Sequence, residues 1–350
     1  MTYYKQLCHV LSFGTEIDVG NTEIIEYMTL LQCLEKLLGN ITITDKQTES
    51  VSTTYNNIKS LLLTSESNLS GERVFQNGSY DRDTIIKPLD DIDLFFVLKE
   101  DSYKDEYGRL SSPQSVLTKI KDYLNNTKDY KDKVKQDRPC VTIHLSDKKF
   151  DVLPCFGNDN TGYLIPNYEL NGWMSSNPVI HSNDLTSVNK TCSGKVVPLV
   201  RIIKYWNREM NQKRIPSFHI EEMAINTFRF GSIDNYEDGV YKWFQYSLNV
   251  LDSTKFDTTE KYSQSYEKLK EARDKIVKAH DFYKENNEIE AKKLYKEVFG
   301  DKFPTISEEE AKAMSENMKN GSLKMASSGI LSSGTINVKP TRFFGEENKN

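Results

Sequence analysis

Asp91 and Asp93 flank Ile92 at the head of the run DIDLFFVL, and eleven residues separate them from the pair Gly78-Ser79. Side chains alternate along an extended strand, so both carboxylates project from one face while Ile92 turns into the core. Carboxylates held side by side repel each other, and a pair that stays ionised implies a cation between them. Mg²⁺ suits such a seat, because this hard ion takes oxygen ligands and completes its octahedron with water and substrate phosphates. Read alone, DDID after Pro88 is also an acidic turn ahead of a buried strand; Gly78-Ser79 and a third carboxylate favour the metal seat. That third acid is Asp151, since Phe150-Asp151-Val152 repeats the apolar-Asp-apolar pattern on a strand that can pair beside the first. Asp147 sits in the SDKK turn and is the weaker candidate.

Two metals about 3.5–4 Å apart stabilise both the attacking and the leaving oxygen of a displacement at phosphorus. The three carboxylates therefore point to nucleotidyl transfer with loss of pyrophosphate, on two Mg²⁺ ions or on Mn²⁺ in their place. Gly78 allows close backbone approach, so the N–H groups of the turn and the Ser79 hydroxyl are expected to position a triphosphate. Ser79 does not read as a covalent nucleophile, because GSY lacks the flanking glycine of a nucleophile elbow and has no adjacent base.

Elements that position these residues follow from periodicity. Val51, Tyr55, Ile58 and Leu62 fall on one helical face and predict a helix over 48–64, with a weaker one over 23–38. A short strand at GERVFQNGSY leads through a turn and a polar loop into DIDLFFVL, which is too apolar for an exposed strand. Ser112-Pro113 opens a helix with Val116, Leu117, Ile120 and Leu124 inward. CVTIHL and KFDVLPC around SDKK read as a hairpin. Helical pattern returns over 193–210, with Pro198 either near the helix start or kinking it. Two charged helices are expected between Lys261 and Phe299, and after Pro304 the chain turns polar.

At 350 residues the chain exceeds the usual single domain, so two lobes around a cleft are expected. No stretch of 18 apolar residues occurs, which excludes a spanning helix, and MTYYKQLCHV has no secretory pattern, so the expected location is cytoplasmic. Five scattered cysteines have no zinc spacing and read as reduced thiols. A net charge of −5 argues against a broad basic face for long nucleic acid. Arg82, Asp81 and Asp83 read as a solvated loop, and His144, His181 and His219 are assigned no chemistry.

GSYDRDTIIKPLDDIDLFFVL followed by KFDVLPCF resembles the signature of the cGAS/DncV-like nucleotidyltransferases, the bacterial synthases of anti-phage signalling. GKVVPLVRIIKYWNREM, IPSFHIEEMAINTF and KLYKEVFGDKFP look like that family's C-terminal lobe and closing segment. The likeness spans roughly residues 74–304, with 99–139 matching only in general character. It implies an α/β (α+β) fold: a bilobed polymerase-beta-like nucleotidyltransferase with a mixed twisted sheet and a helical C-terminal lobe. The divisions drawn are 1–165 for N-terminal helices and catalytic core, 166–306 for the nucleotide-binding lobe, and 307–350 for a flexible tail.

The resemblance also implies NTP substrates, ATP among them, and a cyclic di- or trinucleotide second messenger as product. It assigns Lys204 and Ser217 to the donor triphosphate. Val196, Val200 and Lys204 form one i, i+4 row, which would bring the Lys204 ammonium to the cleft rim. Ser217 could equally cap the next helix, where Glu221 and Glu222 suit the first turn. Phe218 stands where many relatives have Tyr, keeping base stacking without a phenolic hydrogen bond, and Asn77 stands where several have Gln. In the tail, Phe343-Phe344-Gly345 reads as a cluster able to dock on a regulatory protein partner or on the protein's own surface. Two other readings compete: a nucleotidyltransferase acting on an RNA, antibiotic or protein acceptor, and a catalytically silent interaction protein.

Overall fold

The computed structural model describes residues 28–89, 91–158 and 162–304, together with two short strands, Lys324–Met325 and Leu331–Ser332, that pair antiparallel. Residues 29–305 fall in one compact unit, and everything below concerns it.

Helix α1 runs Leu30–Ile41 and α2 runs Asp45–Leu63. Each begins at a threonine, Thr29 or Thr44, whose side chain and a glutamine three residues on satisfy each other's backbone N–H groups. Those capping boxes set the starts, so α2 begins three residues earlier than its apolar row suggested. The expected 23–38 helix is seen as α1, and its first residues lie outside those described.

Strand β1 (Gly71–Asn77) leads into a single helical turn, α3 (Gly78–Asp81), and then β2 (Asp91–Leu98). Helix α4 (Pro113–Asn125) has Ser112 as its cap and Pro113 in its first turn. Strands β3 (Val134–Asp137), β4 (Cys140–His144), β5 (Lys149–Asn158), β6 (Gly162–Pro166) and β7 (Trp173–Ser176) complete the sheet. Its order is β1-β2-β5-β4-β3, with β6 on β5 and β7 on β6. Only β2 and β5 run parallel, so the sheet is mixed.

Alternation gives the two faces different work. Leu94, Phe96 and Leu98 of β2, with Phe150, Val152 and Phe156 of β5, pack in one core with Val51, Ile58 and Leu62 of α2 and Val116, Ile120 and Leu124 of α4. Asp93, Phe95 and Val97, with Asp151 and Cys155, occupy the alternate positions; there Phe95, Val97 and Cys155 cluster with Tyr163. The helices thus brace the sheet from one side and leave the acidic positions on the other.

The helical lobe comprises α5 (Pro178–Thr191), α6 (Val196–Met210), α7 (Ser217–Phe228), α8 (Tyr236–Val250), α9 (Thr259–Lys284) and α10 (Glu288–Phe299). Its core is aromatic, with Trp206, Trp243, Phe244 and Phe299 packed edge to face. Pro198 lies in the first turn of α6, where backbone N–H groups have no intrahelical acceptor, so it starts the helix rather than kinking it. Among the described residues no helix is long and apolar enough to cross a membrane. The tail beyond residue 307, with its Phe343-Phe344-Gly345 cluster, lies outside the described residues apart from the two short strands.

Candidate active site

The parallel register of β2 and β5 sets Asp93 opposite Asp151 and Asp91 opposite Lys149. Asp93 and Asp151 therefore stand on neighbouring strands with their side chains on the same face. Asp151 Oδ1 accepts a hydrogen bond from Thr142 Oγ1 at 2.5 Å, and Thr142 is its partner across β4. Asp91 is exposed at the strand's start, with Lys149 Nζ at 3.4 Å.

The Gly-Ser turn closes directly over these acids. Antiparallel pairing of β1 with β2 puts Asn77 opposite Asp93, and Gly78 follows at φ +73°. A Cβ built on Gly78 would fall 1.7 Å from Asp93 Oδ2, so only glycine leaves that carboxylate its place. Asn77 is the cap residue of α3 and its side chain makes no capping bond.

Burial pushes the Asp93 carboxyl up to about 7, with Asp151 and Asp91 adding repulsion and Arg82 and Lys204 pulling it back. Asp151 is raised too, first by burial and further by Asp91, against the lowering effect of the Thr142 bond. Among the described residues no three His, Cys, Asp or Glu side chains are gathered closely enough to cage a metal. The donor chemistry nevertheless fits a hard divalent ion. Mg²⁺ is held by one or two carboxylates plus substrate phosphates rather than by an all-protein cage, and Asp93 and Asp151 form such a pair.

Behind the turn lies a network absent from the sequence reading. Ser79 O accepts the N–H groups of Thr84 and Ile85 at 2.8 and 2.9 Å, which folds the loop after α3 beneath the turn. Glu221, fully buried on α7, accepts four hydrogen bonds. Its Oε1 takes Lys204 Nζ at 2.7 Å and Thr84 Oγ1 at 2.5 Å; its Oε2 takes Arg82 Nε at 2.6 Å and His181 Nε2 at 2.9 Å. Burial alone would raise the Glu221 carboxyl, but Lys204, His181 and Arg82 outweigh it and hold it well below the usual range. Lys204 Nζ also reaches Thr84 Oγ1 at 2.8 Å.

Three expectations change here. Lys204 is 6% exposed and bound to Glu221, so its ammonium does not stand at the cleft rim. Arg82 is not a solvated loop residue, because its side chain is 8% exposed and ion-paired. His181, assigned no chemistry, bonds to that same carboxylate. A buried carboxylate requires partners, and these are the groups within reach. One signal could have found Glu221: it shares an i, i+3, i+4, i+7 row with Ala224, Ile225 and Phe228, all buried.

Helix α6 straps the same loop along its length. Arg201 Nε donates to Asp83 O at 2.6 Å, Lys204 to Thr84, and Arg208 Nη1 to Lys87 O. These donors are three and four residues apart on one helical face, so a basic row grips the segment joining Ser79 to Asp91.

Ser217 is the first residue of α7 and is exposed. Pro216 occupies the cap position, so Ser217 does not cap the helix and its hydroxyl is available at the N-terminus. Phe218 is 45% exposed, with the His181 ring centroid at 4.1 Å and Lys255 Nζ at 5.9 Å from its own.

Residues 28–189 match the Second Messenger Oligonucleotide or Dinucleotide Synthetase domain, a span that contains all three acids and the Gly78-Ser79 turn. The chain is 28% identical over 285 residues to a probable cyclic nucleotide synthase of Bacillus cereus (strain VD146), covering 67% of this chain and 83% of that protein. It is 25% identical over 350 residues to a cyclic AMP-AMP-AMP synthase of Acinetobacter, covering 90% of this chain and 97% of that one. The matched domain and these two relatives support a likeness to the cGAS/DncV-like nucleotidyltransferases. The matched domain is that of second-messenger oligonucleotide or dinucleotide synthetases. The fold agrees with this family: the solved structure of E. coli MS115-1 CdnC with ATP superposes at a TM-score of 0.63 and 17% identity, covering 80% of this chain and 100% of that one. Members of this family use divalent metals. Lys204, Ser217 and Glu221 lie beyond the matched domain, on helices α6 and α7.

Proposed function

We propose that Asp91, Asp93 and Asp151 are the catalytic acids and hold two Mg²⁺ ions, or Mn²⁺, and that the substrates are NTPs, ATP among them. When bound, such ions neutralise charge at the attacking and leaving oxygens of the displacement. The chain's own groups do the rest. The N–H groups of the Gly78-Ser79 turn and the Ser79 hydroxyl align the donor triphosphate above Asp93. Ser217 adds a hydroxyl and the α7 N-terminus a favourable dipole for phosphate. Phe218 offers an aromatic face to a base. Asp151, raised by its burial, accepts the proton of the attacking 2′- or 3′-hydroxyl. In-line attack on the α-phosphorus then expels pyrophosphate, and a second round on the linear intermediate closes the ring.

A ring of two or three nucleotides is the expected product, with the similar Acinetobacter synthase supporting three adenylates. The proposed setting is cytoplasmic anti-phage signalling, with a regulatory protein partner engaging the C-terminal tail. The single observation that carries the site is Asp93 standing opposite Asp151 beneath Gly78. The test is pyrophosphate release from an NTP mixture with Mg²⁺. Asp93→Asn and Asp151→Asn, each shown to be folded, should lower it by roughly 10³-fold. Release at the wild-type rate in either variant contradicts the assignment.

A further inference from the structure

Phe218 is exposed at the start of α7, where a phenyl ring ordinarily keeps its rotational freedom. A ring that is ordered only when a base stacks on it loses part of the binding free energy to that ordering. Here one neighbour of the ring is fixed. His181, in the first turn of α5, has its imidazole centroid 4.1 Å from the phenyl centroid, with the two planes inclined by 36°. The same imidazole donates from Nε2 to Glu221 Oε2 at 2.9 Å, and its side chain is 11% exposed. Glu221 is itself immobilised by Lys204, Thr84 and Arg82. Phe218 and Glu221 are three residues apart on α7, so they share a helical face and one imidazole reaches both. The other neighbour is movable. Lys255 Nζ stands 5.9 Å from the phenyl centroid, but it donates to Glu222 Oε1 at 2.9 Å in an ion pair open to solvent. Such a pair holds its lysine weakly, and the long side chain can swing aside for a ligand.

We propose that His181 is a positioning residue for nucleotide binding: anchored on Glu221, its imidazole backs the Phe218 ring and holds it in place to stack on the base of the incoming NTP. The inference rests on the reading of Phe218 as the base platform. A donor to Glu221 needs no ring, since a side-chain amide supplies the same N–H. What an imidazole adds is a flat face against Phe218 while its edge stays bonded to the carboxylate. That division of labour separates a backing role from a merely structural one, because bond and ring can be removed independently.

The experiment measures KM and kcat for ATP in pyrophosphate release by the full-length protein with Mg²⁺, and the fluorescence quenching of 2-aminopurine riboside triphosphate as a direct readout of stacking. His181→Gln keeps an N–H for Glu221 and removes the ring; it should raise KM about fivefold, change kcat by less than about twofold and weaken the quenching. His181→Phe restores a ring, leaves Glu221 its bonds to Lys204, Thr84 and Arg82, and should recover most of the loss in KM. In a Phe218→Ala background His181→Gln should raise KM by less than about twofold, because its effect passes through a ring that is gone. Wild-type KM in His181→Gln beside a raised KM in Phe218→Ala overturns the positioning role alone, and so do independent, multiplying losses in the double variant. No recovery in His181→Phe also overturns it. Wild-type KM in Phe218→Ala overturns the base platform and this inference with it. Should His181→Gln fail to fold, His181→Met, which fills the space without a flat face, takes its place under the same outcomes.

Discussion

Asp93, partly buried, and Glu221, fully buried, are carboxylates influenced by the same two cations, yet they end in opposite states. Glu221 accepts four hydrogen bonds, two from full cations, and is held well below the usual carboxylate range. Asp93 faces Asp151 across the β2–β5 pair and rises to about 7, burial acting first and Asp151 second. The sheet lobe thus keeps a carboxylate strained and available, while the helical lobe keeps one satisfied. On the proposed assignment, the group that would meet a metal ion carries a deficit that the ion would remove, and the group that holds its surroundings carries none.

Opposite effects on stability are the sharpest way to break that contrast. Glu221→Gln strands two buried cations and should cost about 3–5 kcal/mol in chemical denaturation. Asp93→Asn should instead stabilise the metal-free protein by about 2–4 kcal/mol at pH 8. The signs follow from linkage. The Asp93 contribution is full below 3.8 and gone above about 7, so the gain from Asp93→Asn shrinks as pH falls from 8 towards 4. The Glu221 contribution is present above 4.5 and lost as pH falls below it, so wild type should lose stability more steeply in acid than Glu221→Gln. A destabilising Asp93→Asn at pH 8 in EDTA removes the strain assigned to the sheet lobe.

Smaller effects sharpen the comparison on each side. On the helical side, Phe218→Ala removes a stacking face and should raise the KM for NTP about tenfold with kcat little changed. On the sheet side, Thr142→Val removes the donor that steadies ionised Asp151. Its acidic limb in a pH–rate profile should move to higher pH, with a loss of a few-fold in kcat at neutral pH. An unmoved limb separates Asp151 from the proton transfer.

What could be read in advance divides along the same line. The placement of Asp93 and Asp151 on one face of neighbouring strands was legible because strand alternation is a local rule, and FDV repeats the pattern of DID within one sheet. The helix carrying Val116 and Ile120 was legible for the same reason, with Ser112 and Pro113 marking its start. The Glu221 network was not, since Arg82 lies 139 residues away in the chain and His181 lies 40. No local period encodes such pairings. Lys204 shows the consequence: its row on α6 was read correctly, but the direction of its ammonium depends on a carboxylate from another helix.

Mass spectrometry of the products formed from all four NTPs and Mg²⁺, with no acceptor added, tests the account most directly. It predicts pyrophosphate together with a phosphatase-resistant cyclic oligonucleotide holding one phosphate per nucleotide, both missing with Asp93→Asn. Nucleotide transfer that occurs only onto an added RNA, antibiotic or protein would contradict it.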